Sequence, residues 1–336
     1  MKKIFCIAQA TILMAIAVGC SSASQQTETT EKKTVEATPN DLPTVYYGKT
    51  ISPESLIRIY EALGRPATGR VAVKISTGEA GNNNYLKPEL IGELVKKVNG
   101  TLVECNTAYA GKRTTFEEHR QVIREHGFEA IGTVDLMDEE GEMQIPVRDT
   151  TWIKYNIVGK HLSNYDFMIN LAHFKGHPMG GFGGVLKNQS IGVASANGKA
   201  NIHSAGYQQV VEDLWNHVEN QDGFLESMAA AAQSVADKFN GNIVYIDIMN
   251  NMSVDCDCVD KPEPVKLKDM GIMASLDPVA VDQACIDMVF GMTNPTADND
   301  NAPLMERIST RHGIHTIEHA EKIGMGSRKY NLKEIE

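Results

Sequence analysis

Histidines and glycines are concentrated in the middle of the sequence. His173 and His177 lie four positions apart, His203 follows, and five glycines fall within residues 176–184. Such a glycine run disfavours a helix or regular strand and lets a backbone approach a ligand closely. Since neutral imidazole is a common ligand for transition metals, we expect a ligand or metal site here. A flexible surface loop with incidental histidines is the alternative.

This segment does not match three familiar motifs. Gly176 and Pro178 disfavour a helix, and no glutamate follows His173, so the helical zinc-protease pattern is excluded. Residues 192–200 have one residue too many for a phosphate-binding P-loop, and the glycines at 181–183 lack the third glycine of a dinucleotide fingerprint. We instead predict that four residues contact a cofactor or ligand. They are Gly181, Gly183, Gly184 and Asn188.

Lysines around the glycine run could neutralise an anionic ligand. Lys175 and Lys187 are the candidates for this role, and Lys199 is a third; solvated surface lysines are the alternative. Asp282 lies one turn beyond Asp277 and Pro278, which should cap a helix and begin it. It is either a carboxylate behind the site or an ordinary surface residue. Lys175, Lys187 and Asp282 are the candidate catalytic residues.

Cys256 and Cys258 form a second group with metal-binding or redox potential. A disulfide between them would close a strained ring, whereas two thiolates could ligate iron or zinc, with a histidine of the central segment completing the sphere. Structural or oxidised cysteines are the alternative. Asp255, Asp257 and Asp260 make the stretch acidic, which raises the pKa of a thiol unless a cation is near. The metal-ligand candidates are therefore His173, His177, His203, Cys256 and Cys258.

The amino-terminal residues are typical of an export signal. Lys2 and Lys3 precede an apolar run at 4–18, and Ala17-Val18-Gly19-Cys20 resembles the lipobox of bacterial lipoproteins. We expect residues 1–19 to be a signal peptide and Cys20 to be lipidated, with a plain secretory signal as the alternative. Polar residues dominate 20–41, which should form a disordered tether. The expected location is extracytoplasmic, on the periplasmic side or cell surface, anchored in a membrane by lipid.

Composition excludes several classes of protein. The sequence has 336 residues, 42% hydrophobic and 22% charged, which excludes collagen-like and disordered chains. A net charge of −11 repels nucleic-acid phosphates, so nucleic acid is not an expected partner. We predict one folded domain over residues 42–336.

Apolar patterning in that region alternates between strands and helices. Strands are predicted at 70–75, 101–105, 165–171, 242–248 and 271–275, with helices between them, including one near 207–219 and one at 222–239. This order predicts an α/β fold with a mostly parallel sheet flanked by helices and an irregular glycine-rich central segment. Ligands bind beyond the carboxyl ends of such strands, so the central segment and the two cysteines should share one cleft.

Four stretches together resemble domain-of-unknown-function family 362, over most of residues 70–290. They are 170–175, 184–188, 256–258 and 271–282. The resemblance implies an association with iron–sulfur proteins, although the ferredoxin-type cysteine module that accompanies some members is missing from this sequence. It implies no particular substrate or reaction.

The sequence thus favours a lipid-anchored protein with a metal- or redox-linked site. Iron, zinc or an iron–sulfur centre are the candidate cofactors, and a small anion or metal is the candidate ligand. Two alternatives remain open: a non-enzymatic lipoprotein that binds a metal or anion, and a structural envelope protein that docks a protein partner.

Overall fold

Four neighbouring parallel strands end at the same edge of a central sheet, and the segments that follow them build the site. The computed structural model describes residues 41–336. The predicted signal peptide, Cys20 and nearly all of the predicted tether lie outside the described residues.

The described chain alternates strands and helices over most of its length. The strands are β1 Thr44–Gly48, β2 Val71–Lys74, β3 Gly100–Glu104, β4 Val134–Leu136, β5 Glu142–Pro146, β6 Tyr155–Gly159, β7 Phe167–His173, β8 Lys175–His177, β9 Gly181–Gly183, β10 Ile243–Met249, β11 Gly271–Ser275 and β12 Asn331–Glu334. The helices are α1 Pro53–Ala62, α2 Pro88–Lys97, α3 Phe116–Glu125, α4 Val185–Ser190, α5 Ala196–His203, α6 Gln221–Phe239, α7 Pro278–Phe290, α8 Ala302–Thr310 and α9 Ile314–Lys322.

Eight strands form the main sheet, in the order β12-β1-β11-β10-β7-β2-β3-β4. The five strands from β10 to β4 are parallel, while β11 runs antiparallel to both of its neighbours. The mixed α/β fold with a mostly parallel sheet is therefore confirmed. Two further pairs, β5 with β6 and β8 with β9, are antiparallel.

Helices cover both faces of the sheet. Because successive side chains of a strand point to opposite faces, Val71 and Val73 pack with helices α1 and α2, while Ala72 packs in the cluster that includes α6 and α7. Both clusters consist of apolar side chains that are almost fully buried, which fixes the register of β2 and β7.

Two predictions about local structure are wrong. The segment near 207–219 is not an α-helix but contains a 3₁₀ helix at Val211–Asn216. Helix α5 was in turn missed, because its Gly and Asn residues weaken the helical pattern of the sequence. The glycine-rich segment is not an irregular loop: β8 and β9 pair there as a buried hairpin, called the glycine hairpin below (residues 175–183). In residues 41–336 no helix is long and apolar enough to cross a bilayer.

Candidate metal centre and cationic cavity

A cavity of about 410 Å³ lies beyond the carboxyl ends of β2, β3, β7 and β10. His177 of the glycine hairpin and both Cys256 and Cys258 line it. The predicted shared cleft is therefore confirmed, for the reason given by the sheet: β7 and β10 are adjacent and parallel, so the segments after them meet.

Tight backbone packing holds the glycine hairpin against the cysteine segment. A Cβ on Gly176 would lie 2.1 Å from the carbonyl oxygen of Val254, so only glycine fits there. The amide of Gly176 donates a hydrogen bond to the Ser253 carbonyl oxygen at 2.8 Å. Glycine in this segment therefore allows two backbones to touch, which places His177 next to the two sulfurs.

Cys256 is surrounded by hydrogen-bond donors. The Lys187 Nζ donates to its sulfur at 3.3 Å, and Cys258 and His177 also hydrogen bond to it. Burial alone would raise the pKa of Cys256, but these contacts lower it well below its ordinary value. The hydrogen bond to Cys256, together with burial, raises the pKa of Cys258. The pKa values of the two thiols therefore shift in opposite directions, and the surroundings favour the thiolate at Cys256.

Two of the three acidic neighbours, Asp255 and Asp257, have cationic partners of their own. Asp257 lies 2.8 Å from His173 Nδ1 and 2.9 Å from Lys175 Nζ, and Asp255 lies 3.0 Å from an Arg307 nitrogen. The sequence analysis expected these acids to raise a thiol pKa unless a cation is near, and that exception applies to Cys256, whose neighbouring cation is Lys187.

Three of the five predicted metal ligands come together. One ligand atom each from His177, Cys256 and Cys258 lies within 4.8 Å of the others. His173 is not in this group: its Nε2 donates to the Asn250 carbonyl oxygen at 2.5 Å and its Nδ1 faces Asp257, so the ring orients the cysteine segment.

His203 also lies outside the cluster. Its ring stacks on Phe224 with centroids 4.7 Å apart, and its Nδ1 bonds to the Lys199 carbonyl oxygen at 2.7 Å. It nevertheless lines the cavity. Burial lowers the pKa of His203 to about 3, so the ring is neutral.

Cationic side chains dominate the charged lining of the cavity. The five cations are Lys74, Arg113, Lys175, Lys187 and Lys199, and the lining carboxylate is Glu104. Glu104 lies 2.6 Å from Lys74 Nζ and 3.3 Å from Arg113 Nη1. Burial opposes its ionisation, but Lys74 and Arg113 hold the pKa of Glu104 at about 2. Lys199 is 6% exposed and donates to the Ala194 carbonyl oxygen at 2.6 Å; within residues 41–336 it forms no ion pair with a carboxylate.

The residues predicted to contact a cofactor occupy different places. Gly184 and Asn188 line the cavity, but Asn188 uses its amide on the Lys74 carbonyl oxygen at 3.0 Å and on Asn170 at 2.8 Å. Gly183 packs beside Lys187 and Lys175, whereas Gly181 packs against Gly313 on the other side of the hairpin.

Asp282 is buried behind the site and does not line the cavity. Its two oxygens accept hydrogen bonds from the amides of Val185 (2.8 Å) and Leu186 (3.1 Å), at the start of the helix that carries Lys187. The surface alternative is therefore wrong, and Asp282 positions α4. Burial raises the pKa of Asp282 to about 6, and burial beside Asp282 raises the pKa of Asp247 well above its ordinary range.

Sequence reasoning missed the buried ionic network of Lys74, Glu104, Arg113 and Glu79. A lysine and a glutamate at the ends of two apolar strands, β2 and β3, were the available signal, because charged residues in buried strands require partners. Arg113 lies in an irregular segment after β3, where no pattern distinguishes it from a surface arginine.

Fold and site together define an α/β protein with a thiol–imidazole cluster at the wall of a cationic cavity. Residues 71–287 match the family model described as domain of unknown function (DUF362), and the chain belongs to this family. The resemblance seen in the sequence is therefore confirmed. No curated protein matches the chain.

Two solved structures are similar in part. One is a lactate racemase apoprotein from Thermoanaerobacterium thermosaccharolyticum, at 16% identity and a TM-score of 0.41, covering 73% of this chain and 56% of that one. The other is a protein from Thermotoga maritima, at 12% identity and a TM-score of 0.40, covering 80% of this chain and 58% of that one. The chain thus spans less than three fifths of either structure.

Proposed function

We propose that His177, Cys256 and Cys258 bind a transition-metal ion whose open coordination position faces the cationic cavity, where a small organic anion binds. The observation that carries this proposal is the convergence of the three ligand atoms within 4.8 Å at the wall of that cavity. Two thiolates and an imidazole are donors that suit zinc or iron(II), and three protein ligands leave one position of a tetrahedral ion open.

The cavity supports an anion as the second occupant. Lys187 and Lys199 both line it, and neither is neutralised by a carboxylate within the described residues. Ile191, Leu214 and Trp215 form an apolar part of the wall. An anion that also carries an apolar portion would use both parts of this lining.

The direct test is the metal content of protein purified without oxygen. We expect about one bound metal ion per chain at this cluster. Cys256→Ser with Cys258→Ser should abolish it, since serine is a poor ligand for zinc or iron(II), and His177→Ala should weaken it. Cys285→Ala is the matched control, because Cys285 is a buried free cysteine outside the cluster. Equal metal content in the parent and the double cysteine variant would contradict the proposal.

A thiol-based redox site is the second candidate, favoured by the hydrogen bonds of His177. Its Nδ1 accepts from the amides of Gly180 (2.8 Å) and Met179 (3.2 Å), so the neutral ring carries its proton on Nε2. That proton points to Cys256 in place of a metal. Alkylation of metal-stripped protein distinguishes the metal site from the redox site. If Cys256 is alkylated rapidly, added zinc does not slow the reaction and the protein retains no metal, the redox site is favoured.

We further propose that the protein is an extracytoplasmic lipoprotein anchored through Cys20. The support is the amino-terminal sequence pattern, in which two lysines precede an apolar run that ends at Gly19-Cys20. Cys20→Ala should yield protein that is soluble or keeps its leader. If membrane fractionation and the intact mass of that variant match those of the parent, Cys20 carries no lipid.

A further inference from the structure

A cluster of histidines and carboxylates lies on the surface where α9 meets α6, apart from the cavity. One ligand atom each from His312, His315 and Glu318 lies within 4.8 Å of the others. We propose that these three residues form a second metal site, which binds an exchangeable divalent transition-metal ion such as zinc.

Each of the three residues is oriented by a partner at its other polar atom. His312 Nδ1 lies 2.7 Å from Asp222 Oδ1, and His315 Nε2 lies 3.0 Å from Glu226 Oε1. A histidine that donates to a carboxylate through one nitrogen presents a lone pair on the other, which is the usual arrangement of metal-binding histidines.

Glu318 is held in the same way. Its Oε1 accepts from Arg328 at 3.1 Å, while its Oε2 faces His315 Nδ1 at 3.9 Å. With His315 donating through Nε2, both of these facing atoms are acceptors. A cation between them removes their repulsion, and the separation is too long for a direct hydrogen bond.

His319 extends the cluster of histidines and carboxylates into the interior of the fold. The residue is 4% exposed, and its Nε2 lies 2.7 Å from Asp149 Oδ2. Its Nδ1 faces Glu226 Oε1 at 3.3 Å but makes no hydrogen bond within the described residues. His319 therefore lies between two carboxylates, and one of them, Glu226, also contacts His315.

Donor chemistry identifies the class of ion. Two imidazoles and one carboxylate suit zinc and other divalent transition metals, whereas calcium and magnesium prefer oxygen ligands. Because His312 and Glu318 are exposed, the ion would exchange with solvent. This distinguishes the surface site from the cluster of His177, Cys256 and Cys258, which is buried on the cavity wall.

Zinc titration of the metal-stripped, full-length Cys256→Ser/Cys258→Ser protein tests the proposal without interference from the first cluster. We expect one zinc ion per chain, loss of this binding in the added variant His312→Ala/His315→Ala, and binding about 10- to 100-fold weaker in Asp222→Asn. His217→Ala is the matched control, since His217 also pairs with an aspartate, Asp213, at 3.0 Å but has no third ligand beside it. Failure of the cysteine variant to bind zinc, or unchanged binding after His312→Ala/His315→Ala, would overturn the proposal.

The absorption spectrum of bound cobalt(II) distinguishes this site from the cluster of His177, Cys256 and Cys258, on which the proposed function rests. Cobalt bound by thiolates has intense near-ultraviolet charge-transfer absorption, and cobalt bound by histidine and carboxylate lacks it. In an otherwise unchanged protein, His312→Ala/His315→Ala should lower the stoichiometry by one and leave the thiolate band intact. Loss of the thiolate band with unchanged stoichiometry would overturn the assignment of these histidines.

Discussion

Lys187 Nζ lies 3.3 Å from the Cys256 sulfur, although the two residues are 69 positions apart in the sequence. Lys187 belongs to α4, which follows the glycine hairpin after β7, and Cys256 follows β10. The parallel pairing of β7 with β10 brings them together. The lysine therefore serves both sides of the proposed site: it stabilises a thiolate and gives the cavity positive charge.

Lys199 should contribute to anion binding, although its sequence context does not distinguish it from a solvated surface lysine. Lys199→Met keeps an unbranched side chain of similar length but removes the charge, so affinity for a small anion should fall about 10- to 100-fold, the range for a charge-assisted hydrogen bond. Isothermal titration with inorganic phosphate and a panel of small carboxylates measures this. Lys112→Met, at an exposed lysine paired with Glu118, is the control and should bind normally. Equal affinities in all three proteins would remove Lys199 from the site.

Two glycines of the same hairpin should respond differently to alanine. Gly176→Ala forces a Cβ to within 2.1 Å of a backbone oxygen, so we expect a loss of about 1–3 kcal/mol in the free energy of unfolding. Gly180→Ala should be tolerated, because its Cβ would meet no atom closer than 3.4 Å. Denaturant unfolding of the two variants tests the comparison. A similar loss in both would mean that the hairpin does not depend on the close backbone contact.

Glu104→Gln should strongly destabilise the fold. Lys74 and Arg113 would lose their buried partner, which costs about 3–5 kcal/mol for a broken buried pair. The exposed Asp166, which pairs with Arg70, is the control: Asp166→Asn should cost far less, because water screens an exposed ion pair.

The ion pairs of Glu104 with Lys74 and Arg113 also predict that the fold loses stability in acid. The pKa of Glu104 is about 2 in the fold and 4.5 as its ordinary value, so its stabilising contribution is complete above about pH 4.5 and is lost as the pH falls through 2. Unfolding curves between pH 2 and 5 should show this slope in the parent and not in Glu104→Gln. An identical slope in both proteins would assign the acid sensitivity to other carboxylates.

Asp247 and Asp282, the two buried aspartates behind the site, should differ in how well they tolerate substitution by asparagine. Burial beside Asp282 raises the pKa of Asp247 well above its ordinary range, so we expect the proton of the pair on Asp247, where the neutral amide of Asp247→Asn should change stability little. Asp282→Asn should cost about 1–3 kcal/mol, because the amide nitrogen that replaces one of the two oxygens cannot accept from the Val185 or Leu186 amide. Thermal unfolding at pH 7 compares them, and a larger loss in Asp247→Asn would mean that the proton lies on the other residue.

The pKa of Asp282 also sets a pH trend opposite to that of Glu104. Its pKa of about 6 exceeds the ordinary 3.8, so its contribution to stability is complete below about pH 3.8 and is lost as the pH rises through 6. The hydrogen bond from Asp247 lowers the pKa of Asp282, so in Asp247→Leu, which cannot donate, this loss should shift to higher pH. Stability measured from pH 4 to 7 in both proteins tests this, and curves of the same shape would show that the aspartates do not interact.

Much of the fold could be predicted from local patterns. The apolar runs at Phe167–His173 and Ile243–Met249 lie in the buried centre of the sheet, and Asp277-Pro278 begins α7 as expected. The strand β1 was missed because pairing with β11 and β12 makes it a strand, and that pairing is not visible in its own sequence.

The site could be predicted only in outline. Cys256, Cys258 and His177 were found because thiols and an imidazole follow buried strands. Which histidine joins the cysteines depends on hydrogen bonds made after folding: the ring of His173 is held by Asn250 and Asp257, and the ring of His203 stacks on Phe224. Sequence spacing carries no information on such contacts.

X-ray absorption at the metal edge of zinc-loaded protein tests the central claim most directly. To isolate the buried cluster, the His312→Ala/His315→Ala variant is used, loaded with one equivalent of zinc. We predict two sulfur neighbours at about 2.3 Å and at least one nitrogen at about 2.0–2.1 Å. Cys256→Ser should leave at most one sulfur, and His177→Ala should leave two. A spectrum without sulfur neighbours would contradict the proposal that Cys256 and Cys258 bind the metal.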